Sequence, residues 1–163
     1  MNDKVSLREV WESDLETFFT DQLDPEAVRM AAFPSRDREA FMVIWQKIMT
    51  DTSVTARAVL FEGELAGHVV SWEQGGERKI GYWLGKACWG KGVASAALSQ
   101  FLAQFRVRPL VAEVAQHNVA SIRVLRKCGF TVSREARTLL DNGESVEDYV
   151  MTLSAEAAVD EPS

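Results

Sequence analysis

The chain runs Ile80-Gly81-Tyr82-Trp83-Leu84 and, after four residues, Trp89-Gly90-Lys91-Gly92-Val93-Ala94-Ser95. The first string has the β-branched and aromatic residues of a strand. The second begins a helix, because Leu98, Phe101 and Leu102 share one apolar face. Glycines let a loop turn its N–H groups toward one point, and a helix N-terminus adds the positive end of a dipole. This pattern is typical of a phosphate site and also of a plain strand-to-helix turn.

Two nucleotide-binding interpretations of the loop fit poorly. Residues 85–91 follow a Walker A pattern until Gly92, which replaces the hydroxyl residue that ligates magnesium. A Rossmann fingerprint needs a third glycine where Ser95 stands, although Glu113 lies near the place of a ribose-binding acid. Too little α/β sequence follows for that fold, so both classes are disfavoured.

Upstream of the loop, the pattern predicts a strand, three helices and three further strands. A capping box of Ser13 and Glu16 predicts the first helix, Asp24-Pro25 the second and Pro34-Ser35 the third. The predicted strands are 5–10, 56–61, 65–73 and 79–84. The last three should form an antiparallel meander, joined by tight turns at Glu62-Gly63 and Gly75-Gly76.

Downstream of the loop, the pattern predicts strand 110–115, a helix capped by Asn118 and ended by Gly129, and a hairpin. The hairpin joins strands 131–139 and 145–153 around Asp141-Asn142-Gly143. The order of elements predicts a mixed α+β domain over 1–153. The acidic segment 154–163 is expected to be a disordered tail.

Composition excludes several classes of protein. The 163 residues are 47% hydrophobic, and no apolar run approaches the roughly 20 residues that span a membrane. The net charge of −6 argues against a nucleic-acid partner. Cys88 and Cys128 fit reduced thiols, and the N-terminus lacks the pattern of a secretory signal. We therefore expect a cytoplasmic protein without a membrane partner, and the spacing of ligand-type residues predicts no metal site.

Two segments together resemble the GNAT N-acetyltransferase superfamily. Gly92-Val93-Ala94 matches its pyrophosphate loop, with Trp89 where Gln or Arg is usual. Residues 116–130, which read QHNVASIRVLRKCGF, resemble its strand-to-helix segment. The strings at 80–84 and 89–92 are most similar to the ribosomal-protein N-terminal acetyltransferases. The resemblance implies the GNAT fold: a mostly antiparallel sheet of about seven strands, flanked by helices, with one splayed strand pair.

The resemblance also implies acetyl-coenzyme A (acetyl-CoA) as co-substrate. Trp83 and Leu84 would offer main chain to its pantetheine arm, with Asn118 and Ser121 as further contacts. The pyrophosphate would lie on the loop, which comprises Trp89, Gly90, Lys91, Gly92, Val93, Ala94 and Ser95. Arg123 would serve the 3′-phosphate, although a solvated helix face is the alternative for it.

For catalysis, the resemblance implies a base and a donor to the leaving sulfur. Glu113 occupies the base position, with a salt-bridged strand glutamate as the alternative. Ser121 occupies the donor position, with a plain helix-start residue as the alternative, and Leu125 stands where other members have a tyrosine. His68 alternates with apolar neighbours and is expected to be structural.

The expected activity is acetyl transfer to an amine, either a protein N-terminus or a small molecule. A catalytically silent acetyl-CoA-binding module is the alternative. A homodimer is possible, since the branch that the chain resembles contains dimers.

Overall fold

The computed structural model describes residues 4–32, 34–140 and 143–155. The helices are α1 Leu15–Asp21, α2 Pro25–Ala31, α3 Arg38–Thr50, α4 Val93–Gln104 and α5 Val119–Lys127. The strands are β1 Val5–Arg8, β2 Thr55–Phe61, β3 Glu64–Gln74, β4 Glu77–Leu84, β5 Leu110–Ala115, β6 Thr131–Leu139 and β7 Ser145–Leu153. The acidic tail was expected over residues 154–163, and 156–163 lie outside the described residues.

The seven strands form one sheet in the order β1-β2-β3-β4-β5-β7-β6. Each neighbouring pair is antiparallel except β4 and β5, which run parallel. The turns at Glu62-Gly63 and Gly75-Gly76 have positive φ at all four residues, as tight hairpins need. The predicted meander and the mixed α+β fold class are therefore confirmed.

The parallel pair is splayed, as predicted. β4 and β5 pair through a single register position, Lys79 opposite Val111, and then separate toward their C-terminal ends. β3 covers the other edge of β4, and β7 covers the other edge of β5. The two strand edges that face each other therefore border an opening in the middle of the sheet.

Each face of the sheet has its own core. On one face, α4 and α5 pack over a cluster that includes Ile80, Leu98 and Phe101. On the other face, α1 and α3 pack over a smaller cluster centred on Phe18 and Trp45. Because side chains alternate along a strand, β4 contributes to both faces of the opening.

Side-chain caps begin α2 and α5 where the sequence predicts them. The Asp24 carboxylate accepts from Ala27 N at 2.9 Å, and Asn118 Oδ1 accepts from Ser121 N at 3.2 Å. Gly129, with φ of 99°, follows α5 in the left-handed conformation.

The predicted starts of α1 and α3 are wrong. Ser13 lies inside a 3₁₀ turn, and Asp14 instead accepts from Trp11 N at 2.8 Å and pairs with Arg8 at 2.7 Å. α3 begins at Arg38, because the Asp37 carboxylate accepts from Ala40 N at 2.8 Å. Residues 34–37 have no regular secondary structure, and the Gln22 side chain bonds the backbone N–H and C=O of residue 36.

The last hairpin joins β6 and β7 from Thr131 opposite Thr152 to Leu139 opposite Ser145. Asp141 and Asn142 of the predicted turn lie outside the described residues. In the described ranges, no helix is long and apolar enough to cross a membrane.

Candidate active site

The opening between β4 and β5 is a cleft of about 120 Å³. Its lining comes from β4, β5 and the first turns of α5: Ile80, Gly81, Tyr82, Ala112, Glu113, Val114, Ala115, Asn118, Ser121 and Leu125, together with Ala31 and Leu98. Three predicted site residues, Glu113, Asn118 and Ser121, therefore meet in one place. Strand edges without a partner strand offer N–H and C=O groups to a ligand that contains amides.

Two hydroxyl groups meet inside the cleft. Tyr82 Oη lies 2.9 Å from Ser121 Oγ, and the backbone N–H of Ser121 donates to the Asn118 cap. Burial raises the pKa of Tyr82 above its ordinary value, against the opposing effect of the hydrogen bond with Ser121. The tyrosine is thus held neutral, and its hydroxyl can donate to or accept from Ser121.

Tyr82 is a site residue that the sequence prediction missed. It lies in the same string as Trp83 and Leu84, to which the resemblance assigned only main-chain roles. The alternation of side chains along β4 was the signal, because it places Tyr82 on the α5 side and Trp83 on the opposite side.

Glu113 forms an ion pair with Lys79, the β4 residue at which the splay begins. Lys79 Nζ also lies 3.7 Å from Glu77. The Glu113 side chain is 43% exposed, whereas that of Lys79 is 12% exposed. The salt-bridged arrangement is thus present, and it places an accessible carboxylate at the cleft.

The glycine loop presents backbone N–H groups at the start of α4. Gly90 and Gly92 both have φ of 75°, and a Cβ on either would meet open space. The first helical hydrogen bond runs from Ala96 N to Gly92 O at 3.2 Å. The N–H groups of Val93, Ala94 and Ser95 precede that bond and have no helical partner. Such an end fits a pyrophosphate group, to which it offers hydrogen bonds and a positive dipole.

Trp89 ties the loop to the end of β4. Its Nε1 donates to Leu84 O at 3.2 Å, so the indole stands as a support where the resemblance has Gln or Arg. Lys91 Nζ lies 5.8 Å from the Phe61 ring centroid. Arg123 is exposed on α5 and is not among the residues that line the cleft.

The sequence matches the acetyltransferase (GNAT) domain family over residues 4–131. That match covers more than half of the chain and includes the glycine loop, the cleft and α5. The chain belongs to the GNAT acetyltransferase family. It is therefore an acyltransferase by family, and the splayed strands are the family feature that the structure reproduces.

Solved structures share this GNAT fold at low sequence identity. A spermidine N-acetyltransferase from Vibrio cholerae, in complex with CoA and spermine, is 15% identical with a TM-score of 0.84, covering 98% of this chain and 100% of that chain. A putative acetyltransferase from Salmonella typhimurium, with acetyl-CoA, is 19% identical with a TM-score of 0.72, covering 94% and 95%. A GNAT acetyltransferase from Bacillus anthracis is 19% identical with a TM-score of 0.80, covering 96% and 98%. No curated protein matches the sequence.

No metal-type cluster accompanies the GNAT cleft in the described part of the chain. There, no three His, Cys, Asp or Glu side chains are grouped to hold a metal ion. The side chains with polar groups that line the cleft are Glu113, Tyr82, Ser121 and Asn118.

Proposed function

We propose that the chain transfers an acetyl group from acetyl-CoA to a primary amine, which attacks the thioester directly. The observation that carries this proposal is the splayed cleft, with the Glu113 carboxylate and the paired Tyr82 and Ser121 hydroxyls on its lining. The coenzyme in the Vibrio cholerae and Salmonella typhimurium structures of the same fold supports the choice of acetyl donor.

The pyrophosphate and the pantetheine arm of the cofactor have matching groups in this chain. The N–H groups of 93–95 and the open glycine loop suit the pyrophosphate, and the edges of β4 and β5 suit the two amides of pantetheine. Bound acetyl-CoA supplies the thioester carbon that the amine attacks. Because Leu84 O already accepts from Trp89, the Leu84 carbonyl is the least suited of the predicted contacts. Arg123 stays a predicted contact of the 3′-phosphate.

Glu113 is the proposed base. An amine is mostly protonated near neutral pH and must lose a proton before it attacks. The side chain of Glu113 comes from the strand face that also carries Lys79, so it reaches the acceptor side of the opening. The proton passes to its carboxylate directly or through one water, while Lys79 holds the carboxylate in position.

Ser121 is the proposed donor to the sulfur. As the nitrogen–carbon bond forms and the carbon–sulfur bond breaks, negative charge collects on the sulfur. The Ser121 hydroxyl can donate a hydrogen bond there only if it is turned away from competing acceptors. Tyr82, at 2.9 Å, orients that hydroxyl. Its phenol thus supplies a tyrosine hydroxyl to the site, although Leu125 stands where other members of the family have a tyrosine.

Four expectations stay predictions: membership of the ribosomal-protein N-terminal branch, a cytoplasmic location, a homodimer, and a single catalytic domain over 1–153. They rest on the resemblance and on composition.

Calorimetric titration with acetyl-CoA tests the cofactor, with ATP and NAD as controls. We expect micromolar binding of acetyl-CoA alone. Preference for either nucleotide, or binding of none of the three, would overturn the proposal. Gly92→Glu should abolish the binding, since it places a side chain and a negative charge in the open loop at positive φ.

The base is tested with a matched pair of variants. Glu113→Gln removes a carboxylate that contacts Lys79 from β5, and Glu77→Gln removes one that contacts it from β4. We expect the first to lower kcat at pH 7 by about 10²-fold, with unchanged acetyl-CoA affinity and a loss that shrinks at high pH. The second should keep wild-type kcat. Equal activity of the two variants would eliminate Glu113 as the base. Tight acetyl-CoA binding without transfer to any amine would instead indicate a silent binding module.

A further inference from the structure

A large groove adjoins the cleft on the sheet face covered by α1 and α3. It has a volume of about 760 Å³ and shares Ala31, Gly81 and Tyr82 with the lining of the cleft. That volume is in the range of sites for drug-sized ligands. A molecule lying in this groove can therefore present one end to the cleft and Glu113.

The groove walls are mainly aromatic and aliphatic. Phe18, Trp45 and His68 pack around one another, with ring centroids 5.1 Å apart for Phe18 and Trp45 and 4.7 Å apart from His68 to each. The remaining apolar wall comes from Phe41, Ile44, Ile48, Val54, Val70, Trp72 and Trp83. Phe18, Trp45, Phe41 and Val70 are already buried, so a ligand gains by covering the partly exposed side chains of this wall, at about 25 cal/mol per Å² of apolar surface removed from water.

The rings of His68 and Trp83 line the groove and add no charge to it. His68 and Trp83 face each other across β3 and β4, and in the described chain neither His68 Nδ1 nor Trp83 Nε1 has a hydrogen-bond partner. Both nitrogens are buried, so a ligand in the groove does not reach them. Burial lowers the pKa of His68 to about 3, which keeps the imidazole neutral at physiological pH.

The positive and negative side chains that line the groove are equal in number. Among the described residues that line it, Arg36 and Lys47 offset Asp51 and Glu73. Asp51 accepts from the N–H and hydroxyl of Ser53, and Glu73 lies 3.9 Å from Arg78. Acids outside this lining have partners of their own: Asp24 caps α2, Glu26 pairs with Lys86, and Glu147 pairs with Arg137.

We propose that the acceptor is a primary amine carried by a bulky, uncharged apolar or aromatic group, and that polyamines are poor substrates. The proposal rests on the proposed function. A second ammonium in this groove would give up its hydration beside as many cations as carboxylates in the described lining, whereas an apolar group gains wherever it covers exposed apolar surface. The same chemistry occurs in free arylalkylamines and in peptides that begin with aromatic or large aliphatic residues.

A substrate panel tests the class. Release of the coenzyme A thiol is followed with tryptamine and 2-phenylethylamine, with short peptide amides beginning with Trp or Ser, and with spermidine and putrescine. We expect kcat/KM at least tenfold higher for the apolar amines or the Trp peptide than for the polyamines. Comparison of the free arylalkylamines with the Trp peptide shows whether the apolar amine is a small molecule or a peptide N-terminus. Polyamine turnover equal to or above the best apolar amine would overturn this inference and leave the proposed function intact.

Matched variants of α3 test the site. Ile44 lines the groove, whereas its neighbour Val43 is 52% exposed and is absent from the lining. We expect Ile44→Glu to raise KM for the best apolar amine about tenfold or more and to narrow its advantage over spermidine. Val43→Glu should leave both unchanged. Acetyl-CoA affinity should be equal in the two variants, which separates loss of the groove from loss of the cofactor site. Equal KM values in the two variants would refute the placement of the acceptor.

Discussion

Adding a single methyl group at Gly67 should displace the end of β4 and so disturb the cofactor site. Gly67 lies on β3 opposite Leu84, the last residue of β4. A Cβ there would lie 2.1 Å from the carbonyl oxygen of Trp83 and 2.9 Å from Leu84 Cα. Both obstacles are backbone, so no side-chain rotation relieves the overlap.

The size of the effect follows from that overlap. Cβ atoms essentially never approach other atoms within 3.0 Å, so Gly67→Ala must push the end of β4 away by about 0.9 Å. Overpacking of this kind costs about 1–3 kcal/mol, which for a chain of this size lowers Tm by roughly 2–12 °C. The displaced strand end borders the cleft and supports the loop through Trp89, and a shift near 1 Å in a site costs about 10²-fold in rate.

Gly81→Ala is the matched control. It also adds a methyl group to a central strand, but this Cβ would meet the Trp72 ring at an ordinary 3.5 Å. Thermal unfolding and calorimetric titration with acetyl-CoA would be measured for both variants. We expect Gly67→Ala to lose stability and at least tenfold in cofactor affinity, and Gly81→Ala, whose added methyl group meets no backbone, to keep its Tm within error. Wild-type Tm and affinity for Gly67→Ala would refute the reasoning.

Three further predictions concern the cleft and its supports. Tyr82→Phe should lower kcat about tenfold with acetyl-CoA affinity within twofold. A double variant with Ser121→Ala should be no slower than the worse single one, because the two hydroxyls act as a unit; additive losses would contradict this. Asp21 lies beside Gly85, and burial raises the pKa of its carboxyl group to about 6. The folded state therefore binds this proton more tightly than the unfolded chain. The free energy of unfolding consequently falls as pH rises from about 4 to 6. Asp21→Asn should therefore raise the free energy of unfolding above pH 6 by roughly 1 kcal/mol, a value that allows for solvent screening. Below about pH 4 it should leave the free energy of unfolding unchanged. Chemical denaturation at both pH values measures the difference. Asn118→Ala should lower the free energy of unfolding by about 1 kcal/mol through loss of the α5 cap, measured in urea; a value near zero would mean that the cap is replaced by solvent.

The sequence by itself determined the features whose partners lie within a few residues. The caps at Asp24 and Asn118, the hairpin turns at 62–63 and 75–76, and the left-handed Gly129 all join groups no more than about one helical turn apart. Hydrophobic alternation and helical periodicity likewise predicted all seven strands and the helices between them.

Local signals failed where a competing contact came from another element. Pro34 and Ser35 resemble a helix start, yet α3 begins only at Arg38, after its Asp37 cap. The side chain of Gln22, which directly follows α1, bonds the backbone of residue 36 instead. Ser13 and Glu16 have the spacing of a capping box, yet Arg8 from β1 and the backbone of Trp11 engage Asp14 instead.

Only the tertiary structure decided the geometry of the site. The parallel pairing of β4 with β5 at one register position brings Tyr82 to Ser121 and Lys79 to Glu113, over 39 and 34 residues of chain. The balance of charge in the groove likewise depends on side chains from α3, its two flanking segments and β3, which share no sequence pattern. Spacing along a chain reports neighbours on one helix or strand, whereas the order of strands in a sheet is set by how whole faces pack.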